Sequence, residues 1–257
     1  MPDRKVAIVT GASSGIGAAI AEDLAKAGCN VVVNYSRNRE GGEQVAEACR
    51  ANGIESIAHQ GDISSNDDCF AMAQAALDGW GRIDVLINNA GITKFADAND
   101  LDALSAEDFE AIFAVNITGC YQMTRAAAPA LKRAKGAVVN ISSHSGFSGI
   151  GSSIAYAASK GALNTMTLSL ARNLAPDVRV NAVCPGFVDT DWMAPKLGAG
   201  ELSEFKKKTA GIAPLQRIVT PEEVAEAARW FALGGPSITG QLLVVDGGTH
   251  LTVGAPL

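Results

Sequence analysis

Short apolar segments alternate with longer segments of helical periodicity along the whole chain. The apolar segments have few polar residues and are followed by turn-forming residues, which is typical of strands buried on both faces of a parallel sheet. The predicted strands are Val6–Val9, Val31–Val33, Ser56–His59, Ile83–Ile87, Ala137–Ile141, Val178–Val183 and Gln241–Val245. The predicted helices are Gly17–Lys26, Gly42–Asn52, Asn66–Trp80, Ala106–Lys135 in at least two pieces, Tyr156–Ala175 and Pro221–Leu233. This alternation predicts a doubly wound α/β domain, with helices on both faces of a parallel sheet of about seven strands.

The chain of 257 residues has no internal repeat and no low-complexity linker. We therefore expect residues 1–257 to form a single domain. The segment 191–213 is the exception to the alternation, because it is rich in glycine, lysine and glutamate and has no predicted strand. We predict that it is a flap over the substrate. The sequence leaves open how that flap is ordered, and whether the tail 253–257 reaches a neighbouring subunit.

Composition excludes several classes of function. The net charge of −6 argues against a nucleic-acid partner, which requires a basic face. The five cysteines are odd in number, far apart and without a Cys-x-x-Cys pair, so neither a disulfide framework nor a metal site is predicted. No apolar run has the length of a membrane span or a signal-peptide core, and we expect a cytoplasmic protein without a membrane partner.

A glycine-rich turn joins the first predicted strand to the first predicted helix. It reads Thr-Gly-Ala-Ser-Ser-Gly-Ile-Gly over residues 10–17, and no lysine follows the last glycine, which argues against an ATP-binding P-loop. Glycines at this point allow a close backbone approach to a pyrophosphate at the helix N-terminus. The turn therefore predicts a Rossmann-type dinucleotide site, with cofactor contacts from Gly11, Ser13, Ser14, Gly15, Ile16 and Gly17.

Two further motifs follow in order. Asn88-Asn89-Ala90-Gly91 comes directly after the fourth predicted strand, and Tyr156 and Lys160 lie four residues apart in a predicted helix. With the spacing Gly-x-x-x-Gly-x-Gly, these motifs resemble the short-chain dehydrogenase/reductase family over essentially the whole chain. The resemblance is greatest to 3-oxoacyl-[acyl-carrier-protein] reductases and related sugar and alcohol dehydrogenases. It implies an oxidoreductase that interconverts a ketone and a secondary alcohol with a nicotinamide cofactor.

The residues after the second strand bear on the choice of cofactor. An acid about 20 residues beyond the glycines usually holds the ribose hydroxyls of NAD, and Tyr35 stands where that acid is expected. Arg37 is able to fork onto a 2′-phosphate and Ser36 to donate a hydrogen bond to it, although Arg37 as a solvated loop residue is a fair alternative. We favour NADP(H) and leave use of NAD(H) open. Ser14 stands where many NADP-type relatives carry a basic residue.

The resemblance implies further cofactor contacts. Asp62, followed by Ile63, matches the acid that binds the adenine amino group, although an Asx turn is an alternative role for its side chain. Asn89, with Ala90 and Gly91, matches residues that support the sheet and the cofactor pocket. In the family, the loop after the sixth strand meets the nicotinamide carboxamide, and the residues expected there are Pro185, Gly186, Val188 and Thr190.

The resemblance also implies a catalytic tetrad. Tyr156 and Lys160 share one face of a helix, and a neighbouring cation favours the phenolate of a tyrosine, which makes it usable as an acid or base. Ser143, thirteen residues before Tyr156, matches the serine that polarises the carbonyl. Its neighbour Ser142 is expected to serve the loop backbone instead. Asn116 matches the residue that holds a water against the lysine, with a helix-bending asparagine as the alternative.

The substrate is less well defined by the sequence. The expected pocket is largely apolar and draws on Phe95, Ser145, Phe187, Trp192 and Met193. A 3-oxoacyl thioester on carrier protein or coenzyme A is the favoured substrate. Carrier docking is uncertain, because Arg133 and Lys135 supply only part of a basic patch and Asp177 stands where a second arginine is expected. A sugar or alcohol dehydrogenase remains open, as does a cofactor-binding regulator without turnover.

Two predicted helices have more apolar surface than one sheet face would bury. They are 118–135 and Tyr156–Ala175, each apolar on more than one face. Helices of this kind usually bury the additional surface against another subunit. In the family these two helices form a four-helix interface, and the last strand supports a second one. We therefore predict a homotetramer.

Overall fold

The computed structural model describes residues 4–194 and 196–252. Its core is one parallel sheet of seven strands in the order β3-β2-β1-β4-β5-β6-β7. The strands are β1 Val6–Val9, β2 Asn30–Tyr35, β3 Ser56–Gln60, β4 Val85–Asn88, β5 Ala137–Ile141, β6 Arg179–Pro185 and β7 Leu242–Val245. The predicted fold class is therefore confirmed.

Nine α-helices connect or follow the strands in the described part of the chain. They are α1 Gly15–Lys26, α2 Arg39–Arg50, α3 Asn66–Trp80, α4 Ala106–Phe113, α5 Cys120–Ala134, α6 Ser145–Ser148, α7 Ile154–Leu174, α8 Ala199–Ile212 and α9 Pro221–Leu233. Short 3-10 turns add Leu101–Ala103, Asp191–Met193 and Thr249–Thr252. The predicted division of 106–135 into pieces is confirmed, and the helix α5 continues through Pro129.

The helices cover both faces of the sheet. On one face α1, α2 and α9 contribute buried side chains such as Leu24, Val45 and Phe231. On the other face α3 and α5 contribute Met72 and Met123, among others. The strand order reverses between β1 and β4. In sheets of this type, ligands bind in the crevice at the carboxyl ends of the strands on either side of such a reversal.

Several helices begin earlier than the sequence predicted, because capping residues lie upstream of the apolar pattern. The side chain of Asn38 accepts a hydrogen bond from the Gly41 amide at 3.0 Å, so α2 begins at Arg39 rather than at residue 42. Ser153 accepts from the Tyr156 amide at 3.2 Å and begins α7. An N-cap of this kind satisfies one of the free amides of the first turn.

The segment 191–213 has no strand in its described part, as predicted, but it is largely helical. It contains the 3-10 turn after Thr190 and the helix α8. Helix α8 rests on the loop after β6, because Phe205 packs edge-to-face on Phe187 at 5.0 Å between ring centroids and Lys206 pairs with Asp189 at 2.5 Å. Residue 195 and the tail 253–257 lie outside the described residues. A flap function for this segment stays a prediction.

No helix in the described part of the chain has both the length and the apolar character needed to cross a membrane. The five cysteines are all free and buried. Among the described residues, no cluster of three or more histidine, cysteine or acidic side chains is arranged to hold a metal ion.

Candidate active site

The four residues of the predicted tetrad gather at the carboxyl end of β5. The ammonium of Lys160 lies 5.5 Å from the centre of the Tyr156 ring, one turn earlier on α7. Asn116 and Lys160 both adjoin Gly91: a Cβ atom built there would lie 3.3 Å from Asn116 Oδ1 and 3.7 Å from Lys160 Nζ. Ser143 joins them through Ser145, as described below.

Lys160 is buried and its position is fixed. Its Nζ donates a hydrogen bond to the backbone carbonyl of Ile141, the last residue of β5, at 2.9 Å. The side chain is 4% exposed, so its charge lies in a region of low solvent access. A buried cation of this kind acts more strongly on a neighbouring phenol than an exposed one, because water screens it less.

Asn116 lies in a π-helical turn, Ala114–Gly119, between α4 and α5. Its Oδ1 accepts a hydrogen bond from the Ile92 amide at 2.8 Å, and its Nδ2 donates to the Ile92 carbonyl and to Ser159 Oγ, both at 3.0 Å. All these contacts fix the amide group toward Lys160. Turns with an inserted residue of this type occur frequently at functional sites. The structure shows Asn116 in an irregular turn of the helix, and its part in a proton relay stays a prediction.

The two adjacent serines have different surroundings. Ser143 Oγ lies 3.1 Å from both the hydroxyl and the amide of Ser145. A Cβ atom built at Gly151 would lie 2.9 Å from Ser145 Oγ and 3.5 Å from Tyr156 Cδ1, so the serines and the tyrosine adjoin one another.

Ser142 corrects one expectation. Its hydroxyl donates to Asn164 Oδ1 at 2.7 Å, and its oxygen also lies 3.2 Å from the Lys160 carbonyl oxygen, both on helix α7. It therefore ties β5 to α7 rather than serving the backbone of its own loop. The sequence position of Ser142 indicated a polar role, but the partner on α7 depends on packing between distant elements.

The glycine-rich turn has the shape that a pyrophosphate requires. Gly11 has φ +61°, and a Cβ atom there would lie 2.7 Å from the Cα of Ala90. A Cβ atom on Gly17 would lie 2.4 Å from the Gly11 carbonyl oxygen. Ser14, the N-cap of α1, makes no side-chain cap bond. The amides of the first turn are therefore available to a phosphate group, and the residues fit a dinucleotide.

Asn89 has the predicted supporting role. Its Nδ2 donates to the carbonyls of Thr10 and Gly11, both at 3.0 Å, and so holds the glycine-rich turn against β4. Sequence reasoning missed two partners of this arrangement. The Thr10 hydroxyl accepts from the amides of Asn89 and Ala90, and Asn34 Oδ1 accepts from the Gly11 amide at 3.0 Å. Thr10 was visible as the residue before the motif, whereas Asn34 gave no signal in the sequence.

The end of β2 presents two exposed residues and one buried residue. Tyr35 is buried against α2, where a Cβ atom on Gly42 would lie 2.5 Å from its ring. Ser36 and Arg37 are exposed beyond it. Tyr35 therefore supports the fold of this edge, and the two following side chains are the ones open to a ligand.

Asp62 forms an Asx turn, which is the alternative to adenine binding given above for its side chain. Its Oδ1 accepts hydrogen bonds from the amide and the hydroxyl of Ser64, at 2.9 and 2.7 Å. Ile63 is buried against Gly119, which begins α5 as its cap residue. A contact between Asp62 and adenine stays a prediction.

The loop after β6 adjoins the glycine-rich turn. A Cβ atom built at Gly15 would lie 3.5 Å from the methyl group of Thr190. The Gly186 amide donates to the Val245 carbonyl at 3.0 Å, and Val188 is bridged to Val219. Thr190, a predicted nicotinamide contact, thus lies directly beside the glycine-rich turn predicted to bind the pyrophosphate.

Comparison with known proteins agrees with this geometry. A family model described as short chain dehydrogenase matches residues 5–199. The chain belongs to this family. "Granaticin polyketide synthase putative ketoacyl reductase 2" of Streptomyces violaceoruber is 41% identical over 251 residues, which cover 97% of the chain and 98% of the relative. A 3-oxoacyl-[acyl-carrier-protein] reductase of Synechocystis sp. is 40% identical over 248 residues, which cover 95% of the chain and 96% of the relative.

A solved structure supports the same assignment. The crystal structure of a "putative short-chain dehydrogenase/reductase" from Burkholderia xenovorans is 40% identical in sequence and superposes with a TM-score of 0.91. The match covers 98% of this chain and 100% of that one. As a member of the short-chain dehydrogenase family, the chain is an oxidoreductase that acts on a CH–OH or C=O group.

Two of the five predicted substrate residues adjoin the tetrad, and the other three lie along the segment 191–213 or pack against it. Trp192 lies beside Tyr156, with ring centroids 6.0 Å apart, and Ser145 is buried next to Ser143. Phe95 contacts the segment 191–213 through Lys196, whose Nζ lies 5.7 Å from the ring. The other two lie near α8: Phe187 packs on α8, and Met193 is half-buried in the 3-10 turn that precedes it.

Proposed function

We propose that this dehydrogenase is an NADP(H)-dependent reductase of 3-oxoacyl thioesters. The main support for this reaction is the position of the Lys160 ammonium, which is buried, hydrogen-bonded to Ile141 and close to the Tyr156 ring. The substrate class is supported by the two relatives whose names describe a ketoacyl reductase and a 3-oxoacyl-[acyl-carrier-protein] reductase.

The chain's own residues would bind the ketone oxygen and move one proton. The hydroxyls of Ser143 and Tyr156 donate hydrogen bonds to the ketone oxygen and polarise the carbonyl. When bound, the reduced nicotinamide supplies a hydride to the carbonyl carbon. Tyr156 then transfers its proton to the oxygen, so that the ketone gains one hydride and one proton and becomes a secondary alcohol.

Lys160 and Asn116 would return the proton to the tyrosine. The Lys160 cation stabilises the phenolate left on Tyr156. Asn116, fixed by Ile92 and Ser159, is placed to hold a water next to the ammonium, and this water passes a proton from solvent. These groups would thus return Tyr156 to its protonated form, and none of the groups proposed for this step is a metal.

The dinucleotide would lie along the crevice described above. The glycine-rich turn binds the pyrophosphate, Asp62 and Ile63 bind the adenine, and the loop 185–190 orients the nicotinamide. Ser36 and Arg37 would bind the 2′-phosphate of NADP(H), because both are exposed at the end of β2 and the position of the NAD-type acid is occupied by the buried Tyr35. A guanidinium binds a phosphate with two parallel hydrogen bonds.

The cofactor is tested with Arg37→Ala, and with Arg133→Ala as a control that removes an exposed arginine at the far end of α5. We expect the KM for NADPH to rise about tenfold in Arg37→Ala, the equivalent of one charge-assisted hydrogen bond, while the KM for NADH stays unchanged. The control should match the wild type. An equal loss with both cofactors in Arg37→Ala would contradict the assignment of the phosphate site.

The substrate is tested by following NADPH absorbance with acetoacetyl-coenzyme A, acetoacetyl carrier protein, small ketones, and aldoses with the oxidised cofactors. Turnover of a thioester that is lost in Tyr156→Phe would support both the substrate class and the proton donor. Turnover with an aldose or alcohol alone would replace the substrate class by that of a sugar or alcohol dehydrogenase. Cofactor binding without any turnover would instead favour a regulator.

The basic patch for a carrier protein is reduced in this chain. Lys135 forms an ion pair with Asp177, so its charge is compensated by the residue that stands in place of an arginine. Arg133 and Arg172 remain exposed nearby. We therefore expect coenzyme A thioesters to be reduced at least as efficiently as carrier-bound ones, which the same assay compares directly.

We further propose that four copies assemble through α5 and α7. A groove between these helices is open in the described chain and is lined by Tyr121, Pro129, Leu170 and Leu174, with Tyr121 and Leu168 exposed. Sedimentation should give four times the mass of one chain, and a stable monomer would exclude the assembly. The five free cysteines favour a reducing compartment, and we propose the cytoplasm.

A further inference from the structure

A buried carboxylate lies behind the loops that carry Ser143 and the proposed nicotinamide contacts. Asp246 follows β7 and is 5% exposed. Its oxygens accept hydrogen bonds from the Gly248 amide at 2.8 Å, the Thr249 hydroxyl at 2.9 Å and the His250 amide at 2.7 Å. The His250 ring adds a contact from Nδ1 at 2.9 Å. These bonds close the turn 246–250 and fix the direction of the carboxylate.

The same carboxylate faces the active-site loops. A Cβ atom on Gly186 would lie 2.6 Å from the Cβ of Asp246, so the loop after β6 passes directly over this residue. The ring of His144, next to Ser143 in sequence, approaches from the other side, with Nδ1 3.8 Å from Asp246 Oδ2. Two imidazoles, from His144 and His250, therefore converge on one buried acid from positions about a hundred residues apart in sequence.

His144 is the unsatisfied member of this group. Its Nδ1 is buried and lacks a hydrogen-bond partner among the described residues. A buried polar atom without a partner costs free energy, and the nearest acceptor that faces it is Asp246. An approach of less than 1 Å would complete the bond.

The charges around His144 favour this approach. Burial lowers the pKa of the His144 imidazole, and Asp246 opposes this effect only in part. Burial alone would raise the pKa of Asp246, but hydrogen bonds from His250, Gly248 and Thr249 outweigh it, so the pKa lies below its usual value. Near neutral pH the contact therefore joins a neutral imidazole to a carboxylate, which requires no change of protonation.

The backbone of His144 connects this contact to the chemistry. Its amide donates to the Pro185 carbonyl at 2.9 Å, and Ser143 Oγ lies 3.4 Å from the same oxygen. Any displacement of His144 therefore moves Ser143 relative to the loop after β6. We propose that Asp246 is a positioning residue that, through His144, holds Ser143 in register with the loop Pro185–Gly186. This inference rests on the proposed role of Ser143.

The kinetic test uses His144→Leu, which removes the ring nitrogen, and His144→Asn, whose amide places a donor where Nδ1 stood. Asp246→Asn and the double variant complete a cycle, and Asp78→Asn is a control that removes an exposed carboxylate on α3. We expect kcat for acetoacetyl-coenzyme A to fall about tenfold in His144→Leu, less than the ~100-fold that a misplacement of about 1 Å can cost. The dissociation constant of NADPH, measured by its fluorescence, should stay unchanged.

Two features of the kinetics separate positioning from a merely structural role. His144→Asn should recover most of the lost kcat, and the double variant should lose no more than the larger single loss, because the two residues act through one contact. If Asp246 only closes the turn 246–250, then His250→Ala should reproduce the loss while His144→Leu has wild-type kcat. That result, or additive losses in the double variant, would overturn the proposal.

A second readout does not require turnover. The chain has only three histidines, so protein labelled with 15N-histidine gives three pairs of ring-nitrogen signals, which single variants assign. We expect Asp246→Asn to shift the signals of His144 and His250 and to leave His59 unchanged. An unshifted His144 would overturn the proposal even if no tested ketone is a substrate. A wild type without thioester turnover, but with the shift present, would instead count against the proposed function alone.

Discussion

Lys160 donates a hydrogen bond from its ammonium to the carbonyl oxygen of Ile141, 2.9 Å away. This bond joins the end of strand β5 to helix α7 at the point where Ser142 also contacts that helix. The position of the cation is thus determined by the central sheet and not by a mobile loop. Its distance from the Tyr156 ring is fixed before any ligand arrives.

The first prediction concerns the charge of Lys160. Lys160→Met keeps a long apolar stem but removes the ammonium, so kcat should fall by about 100-fold or more, the range expected for loss of acid–base function. Lys26→Met, at an exposed position at the end of α1, is the matched control and should have wild-type kcat. Circular dichroism should show both variants folded. A kcat for Lys160→Met close to that of the control would exclude the proposed relay.

The second prediction concerns the glycine-rich turn. Gly17→Ala places a methyl group 2.4 Å from the Gly11 carbonyl oxygen and 2.5 Å from Asn89 Nδ2, so both the turn and its support must shift. We expect a lower melting temperature and weaker NADPH binding. Gly79→Ala in helix α3 meets no atom within 4 Å and should raise the free energy of unfolding by about 0.5–1 kcal/mol. Thermal melts and cofactor titration of the two variants give the comparison, and tight NADPH binding by Gly17→Ala would contradict it.

The third prediction concerns the stability of the protein between pH 7 and pH 5. Burial lowers the pKa of His59 and His144 below 6.5, whereas the unfolded chain titrates near 6.5. As the pH falls, the unfolded state therefore binds protons first. Above about pH 6.5 these two residues contribute their full stabilising free energy. This contribution is lost as the pH falls toward the pKa values that the two imidazoles have in the folded protein.

Urea unfolding at pH 7.5 and pH 5.5 measures this loss, and the double variant His59→Asn/His144→Asn should lose less stability between the two pH values. Carboxylates do not account for the effect, because the pKa values of Glu223 and Asp246 are lowered from ordinary values of 4.5 and 3.8 and act only below this range. Equal losses in the wild type and the double variant would refute the assignment to the histidines.

The fourth prediction concerns the cysteines. Burial raises the pKa of Cys69 and Cys120 to about 11 and that of Cys49 and Cys184 to about 12. The thiolate is the reactive form, so the native protein should react with none of its five thiols at pH 8 over minutes. A colorimetric thiol reagent with and without denaturant tests this. Rapid labelling of native protein would show that at least one of these sites opens to solvent.

The sequence was sufficient for the order of the seven strands, and it named four tetrad residues from segments that the structure brings together, while their catalytic roles stay predictions. Strands such as β1 and β7 are continuously apolar, and the glycine turn and the Tyr156–Lys160 spacing are local signals. Helix starts were predicted less well, because the caps at Asn38 and Ser153 stand before the apolar pattern that was used to find the helices.

The remaining features depend on contacts between distant residues. The hydrogen bond from Ser142 to Asn164 and the convergence of His144 and Asp246 require the packing of β5 against α7 and of β6 against β7. Helix α8 was missed for another reason. Its sequence has little apolar periodicity, and its position depends on Phe205 packing against Phe187.

The π-helical turn Ala114–Gly119 has one residue more than an α-helical turn would use. The wider turn advances the chain by less than 100° per residue, so the extra residue is absorbed within the turn and α5 keeps the orientation it would have after regular winding. Deleting one residue here would therefore leave Met123, Ala127 and Leu131 facing the core. The deletion would instead change the turn itself, which would tighten and move the Asn116 amide away from Ile92. A single deletion would thus cost the protein the placement of Asn116 while leaving the packing of α5 intact.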